Sequence, residues 1–168
     1  MRSFEFAKNK NGEKAFPNAQ LPEYQTARAA GADFFCAETV VVPSIWSLQN
    51  ATSLNSIAPT LIHTGVKASM EDDEVLELYN RSSNPKKLGL ILANGVGVVD
   101  ADYYNNPDND GEIMFAFYNI GPFNIAISAG QRIGQGIFKK YLRPTIENGL
   151  RIKNVERTGG FGSTGTVN

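Results

Sequence analysis

A chain of 168 residues, 42% hydrophobic and 20% charged, is long enough to bury a core as one domain and is not of disordered composition. Its formal net charge of -1 lacks the basic field that duplex nucleic acid demands. An anionic ligand must therefore be held by local arginines, backbone N–H groups or a metal. One cysteine and one histidine exclude a disulfide framework and any multi-cysteine or multi-histidine zinc site.

In chain order, the N-terminus "MRSFEFAKNKNGEK" is polar and carries no apolar segment of a secretory signal. No apolar run reaches bilayer length, so a cytoplasmic protein with no membrane or nucleic-acid partner is expected. Strand-like runs then follow: "FFCAETVVVP", "TLIHTGVKASM", "EVLELYN", "LGLILAN", "GVGVVDADY", "EIMFAFYNI", "FNIAIS" and "RIGQGIFKKY". Gly, Pro, Asn and Asp separate them. "SNPKKLG" is the best place for a short helix. Cys36 reads as a small buried hydrophobe and His63 as structural or exposed.

Many short strands with frequent turns predict an all-β antiparallel barrel or double-sheet jelly roll over residues 1–156. Two stretches look irregular: Ser44 to Pro59, which holds the only tryptophan, and the turn-rich "YYNNPDNDGE". Residues 157–168 contain too much glycine to hold a fixed fold alone, so a flexible C-terminal segment is expected.

Four stretches carry chemistry. In "YNRSSNPKKLG", Arg81, Ser82 and Ser83 offer a guanidinium fork and two hydroxyls where the chain turns, which suits phosphate. The same residues also suit a polar strand end capping a helix turn. In "ANGVGVVDADYYNN", Gly95 and Gly97 indicate a tight bend or a close backbone approach, and Asp100, Asp102 and Tyr103 follow. An aspartate there can take a proton from water, or can be a solvent-side turn residue. In "GQRIGQGIF", Arg132 and Gln135 are expected on opposite faces of a strand, one for structure and one for a ligand. The tail "RTGGFGSTG" combines glycines, an arginine and hydroxyls with an aromatic ring.

Together, these stretches resemble the trimeric dUTPases (dUTP diphosphatases). "AGADFFCAE", "NRSSNPKKLG", "LANGVGVVDADYY", "GQRIGQGIF" and "RTGGFGSTG" match the family's five ordered motifs from Ala30 to Gly165. The resemblance implies a dUTPase-like jelly roll, or distorted β-barrel, assembled as a homotrimer with sites at subunit interfaces. It implies Mg²⁺-dependent hydrolysis of dUTP to dUMP and pyrophosphate.

By position, Asp100 matches the water-activating aspartate, and Tyr103 the ring beneath the deoxyribose that excludes a 2′-hydroxyl. Asn94 and the Gly97 backbone match the uracil-reading hairpin. Arg81, Ser82, Ser83 and Gln135 match the triphosphate cradle. Asp33 matches the first-motif aspartate, expected to support the metal through water. In the tail, Arg157, Gly162, Ser163 and Thr164 match the clamp on the terminal phosphates, and Phe161 the ring that covers uracil.

Three departures stand out. "YNNPDNDGE" replaces a short turn, Ser83 stands where glycine is frequent, and Asn80 where proline is frequent. Two other functions share much of this pattern. A dCTP deaminase, or its bifunctional relative, has the same "RSS" core but needs a catalytic glutamate, for which Glu112 is the only nearby candidate. A nucleotide-sensing regulatory protein would use the Ser44–Pro59 segment with Trp46 to hold a protein partner.

Overall fold

The computed structural model describes residues 1–48 and 58–144. Eleven strands and one short helix occupy them: β1 (Ser3–Phe6), β2 (Ala32–Phe35), β3 (Val40–Val42), β4 (Thr60–His63), β5 (Val66–Ser69), β6 (Glu74–Asn80), α1 (Ser83–Leu88), β7 (Leu90–Leu92), β8 (Gly97–Asp100), β9 (Met114–Asn119), β10 (Ile125–Ile127) and β11 (Arg132–Lys140). Every strand pair is antiparallel, in the orders β1-β5, β10-β3, β2-β11-β6-β8 and β4-β9-β7. The all-β expectation holds, and "SNPKKLG" forms the helix.

The alternation of the strands decides which face is buried. In the sheet β2-β11-β6-β8, Phe34, Leu76, Leu78 and Val99 point inward and are buried. They meet Ile62 of β4, Leu90 and Leu92 of β7, and Phe115 and Phe117 of β9 in one cluster. Phe34 and Phe115 have ring centroids 5.5 Å apart, and Phe115 stacks with Phe117 at 6.2 Å. Two layers thus enclose one aromatic-rich core.

Two expected strands are broken. "FFCAETVVVP" divides into β2 and β3, and "TLIHTGVKASM" into β4 and β5 at Thr64 and Gly65. Thr64 is buried, with its hydroxyl donating to the Ile113 carbonyl at 2.6 Å. Strand β1 is absent from the sequence-based expectation because charge in "MRSFEFAKNK" masks the alternation of Phe4 and Phe6. Phe4 packs edge-on against Phe34 at 5.4 Å and lies 5.2 Å from Phe138.

Cys36 is buried as expected, and burial pushes its thiol pKa up. His63 is structural: its Nδ1 lies 3.0 Å from Glu112 Oε2 and its ring 4.8 Å from Phe16. Among the described residues, no helix is long and apolar enough to cross a membrane.

Candidate functional site

The outer face of β2-β11-β6-β8 carries the first group of expected residues, and a β-bulge puts them together. Between Arg132 and Gly134 the β11–β2 register shifts, so Arg132 lies opposite Phe35 and Gln135 opposite Asp33. Phe35 and Asp33 are two apart and share a face, so Arg132 and Gln135 share it too. The expectation that they point to opposite sides is therefore wrong. The extra residue, Ile133, is buried.

Arg132 Nη1 donates to Asp33 Oδ2 at 3.2 Å and to Gln25 Oε1 at 3.0 Å. Arg81 Nη1 donates to the Arg132 carbonyl at 3.4 Å. Gln135 lies over Gly31, where an added Cβ would stand 2.6 Å from Oε1. The structure thus gathers Asp33, Arg81 and Gln135, together with Arg132, at the mouth of α1. Ser82 and Ser83 begin that helix; Ser82 makes no side-chain cap, so capping does not occupy its hydroxyl.

Sequence reading missed the residue that fixes this corner. Asn84 is buried, and its Nδ2 donates to Asn80 Oδ1 at 2.8 Å and to the Ile133 carbonyl at 2.8 Å. It ties the helix to the bulge, so the arginines keep their spacing. The one signal was an asparagine directly before proline in the second motif, which is equally an ordinary turn signature.

The second group lies on the turn between β7 and β8, strands of different sheets, and on β8 and the 3-10 turn after it. Asn94 is exposed in the turn, Gly95 has φ +68°, and Gly97 packs where a Cβ would stand 3.0 Å from Leu78 Cβ. Gly97 thus lacks a side chain because of Leu78, while its backbone lies on β8, the edge strand of the sheet. Asp100 ends β8 and is exposed. Tyr103 follows within a 3-10 turn and is 8% exposed. Its hydroxyl donates to the Glu112 carbonyl at 3.3 Å and accepts from Asn109 Nδ2 at 2.8 Å.

Within one chain Asp100 and Arg81 do not meet. Asp100 pairs with Val75 at one end of β6, whereas Arg81 follows the other end. Six strand residues at about 3.3 Å each separate the two levels by about 20 Å. No triphosphate held at Arg81 reaches the Asp100 of the same chain with its α-phosphorus. Arg157, Phe161, Gly162, Ser163 and Thr164 lie outside the described residues.

Glu112 is buried and committed. Its carboxylate accepts from the Gly65 N–H at 2.9 Å and pairs with His63. The "YNNPDNDGE" insertion is built as firmly. Lys67 is buried, and its Nζ donates to Asn105 Oδ1 at 2.6 Å and Asp110 Oδ2 at 2.8 Å. The Tyr104 hydroxyl reaches the Glu5 carboxylate at 2.9 Å.

An all-β domain with a paired-arginine corner, an accompanying carboxylate and a separate aspartate at the end of β8 has the groups that a phosphorylated ligand needs. Comparison with known proteins specifies the class. The dUTPase family model matches residues 17–165. A deoxyuridine 5'-triphosphate nucleotidohydrolase of Lactococcus lactis is 43% identical over 148 residues, 86% of this chain and 87% of that protein. The crystal structure of a dUTPase from Streptococcus mutans is 39% identical and superposes with a TM-score of 0.70, over 85% of this chain and 98% of that one. A Staphylococcus bacteriophage 80alpha dUTPase, 21% identical, shares the fold with a TM-score of 0.65 over 99% of both chains. The chain belongs to the dUTPase family.

Proposed function

We propose that this protein hydrolyses dUTP to dUMP and pyrophosphate in the cytoplasm, at sites each assembled from several copies of the chain in a homotrimer. The observation that carries the composite site is the separation of about 20 Å between the level of Asp100 and that of Arg81 along β6 within one chain. A single copy offers the two halves apart, and a second copy brings a complementary half to each.

In this reading Asn94 and the Gly97 backbone read the uracil edge, and the Tyr103 ring lies under the deoxyribose. Arg81, Ser82, Ser83 and Gln135 hold phosphate oxygens, and Arg132 pairs with Asp33 beside them. Asp100 accepts a proton from a water whose oxygen attacks the α-phosphorus. The bond to the bridging oxygen breaks, and the electron pair leaves with pyrophosphate. The tail, residues 157–168, closes over the substrate: Arg157, Gly162, Ser163 and Thr164 on the terminal phosphates, Phe161 on the base.

Mg²⁺ fits this donor set. Asp33 already shares one oxygen with Arg132, which suits contact with a metal through water rather than direct ligation. Mg²⁺ keeps several waters and takes phosphate oxygens readily, so it needs no protein cage. When bound, it neutralises charge on the triphosphate.

Glu112 favours this reading over dCTP deamination, because its carboxylate is already shared by His63 and the Gly65 N–H. A regulatory role would be an addition to catalysis. Its support is Trp46, 59% exposed with its indole N–H tied to the Ile120 carbonyl at 3.1 Å, a ring that a protein partner would cover.

Incubating the purified protein separately with dUTP, UTP and dCTP, and following pyrophosphate and ammonia, tests the assignment. Pyrophosphate from dUTP alone, without ammonia from dCTP, is expected. Ammonia from dCTP would transfer the chain to the deaminases.

A further inference from the structure

We infer that Asn109, within the "YNNPDNDGE" insertion, is a positioning residue that sets how strictly the site rejects a ribonucleotide. The inference rests on the proposed reading that the Tyr103 ring lies beneath the sugar. A ring that excludes a 2′-hydroxyl by contact discriminates only as sharply as it is held. Added play in the ring lowers the steric cost of an extra oxygen, and with it the discrimination.

Tyr103 is held at its far end. Its hydroxyl accepts from Asn109 Nδ2 at 2.8 Å and donates to the Glu112 carbonyl at 3.3 Å. The Asn109 amide also donates to that carbonyl, at 3.3 Å, so the three groups form a closed triangle. Asn109 is itself locked, because its Oδ1 accepts from the Gly111 N–H at 3.1 Å and its carbonyl from the Glu112 N–H at 3.1 Å.

The insertion then wraps back onto the residue it serves. The Asn106 N–H donates to the Tyr103 carbonyl at 3.2 Å. Gly111, at φ +78°, passes so close that a Cβ would stand 2.4 Å from the same carbonyl oxygen. The outer end of the loop is anchored by the buried Lys67 through Asn105 and Asp110. Glu112, the other member of the triangle, is fixed by His63 and Gly65. A frame of this kind transmits the position of a rigid loop to one hydroxyl.

The test is a double-mutant cycle on the full-length protein with Asn109→Ala, Tyr103→Phe and the double variant. For each, kcat/KM is measured with dUTP and with UTP, and the melting temperature is recorded. The ratio of dUTP to UTP is expected to fall about three- to tenfold in Asn109→Ala, the size of one neutral hydrogen bond. Tyr103→Phe is expected to match it, and the double variant to fall no further.

An unchanged ratio in Asn109→Ala, or equal losses with both nucleotides, overturns the role of Asn109 while leaving dUTP hydrolysis intact. Independent, additive losses in the double variant overturn it as well. Wild-type protein that turns over dUTP and UTP equally removes the sugar-platform reading itself, and Asn109's role falls with it.

Discussion

At the scale of single residues, the most exacting contacts belong to side chains that polarity alone would place in water. Lys67 lies in "VKAS" of β5, flanked by Val66 and Ala68, and an alternating strand predicts an exposed lysine there. It is instead 4% exposed, with its ammonium between Asn105 and Asp110 and over the Tyr104 ring at 4.8 Å. Replacing it with methionine keeps the stem but leaves Asp110 without its cation. Asp110 Oδ2 then keeps only the Lys8 N–H, at 2.8 Å, and urea unfolding should show a loss of about 1–3 kcal/mol for the missing charge-assisted hydrogen bonds. Stability equal to wild type would show that the insertion does not depend on this ammonium. Position was readable in the sequence where a family motif carried it, as at Asp33, Arg81 and Gln135, which the structure brings to one corner. It was not readable at Lys67, Asn84 or Asn109, because their partners lie 38, 49 and 6 residues away in contacts that no local spacing encodes.

At the scale of elements, the β6 strand was visible in full because "EVLELYN" combines β-branched and apolar residues between turn signals. Its first residue was not understood. Glu74 is buried rather than on the wet face of a half-buried strand. Burial pushes its carboxyl up, but the Arg2 guanidinium and the Glu71 N–H outweigh that and hold it below the ordinary 4.5. A carboxyl depressed by folding stabilises the protein above its ordinary pKa, and that contribution is lost as pH falls through the folded value. Melting temperature should therefore fall below about pH 4.5, and Arg2→Ala should lose less than wild type over that interval. Identical acid profiles for the two proteins would remove this pair from the account. The pair also explains why β1 escapes sequence reading: Arg2 and Glu5 make the segment look like a charged leader, while the packing of Phe4 on Phe34 makes it part of the fold. The β11 bulge escaped for a related reason. One extra residue in a strand leaves the apolar pattern of "RIGQGIF" intact, yet reverses which side Arg132 takes relative to Gln135.

At the scale of the whole molecule, the order of the motifs along the chain says nothing about their distance in space. Arg81 of the second motif and Asp100 of the third are close in sequence and far apart on the sheet, since β6 and β8 run antiparallel and carry them at opposite ends. If each site combines halves from different copies, two inactive variants should rescue one another. Asp100→Asn and Arg81→Ala subunits, unfolded together and refolded, should regain a part of wild-type turnover that neither homogeneous protein shows. Mixtures no more active than the two parents would place both halves on one chain. The account as a whole stands on the carboxylate at the end of β8. Replacing Asp100 with asparagine preserves its shape and removes its capacity to take a proton, which general-base catalysis values at about 100- to 10,000-fold. Measured side by side, dUTP binding by the Asp100→Asn protein should stay near that of wild type while kcat falls by that factor; turnover close to wild type would contradict the mechanism.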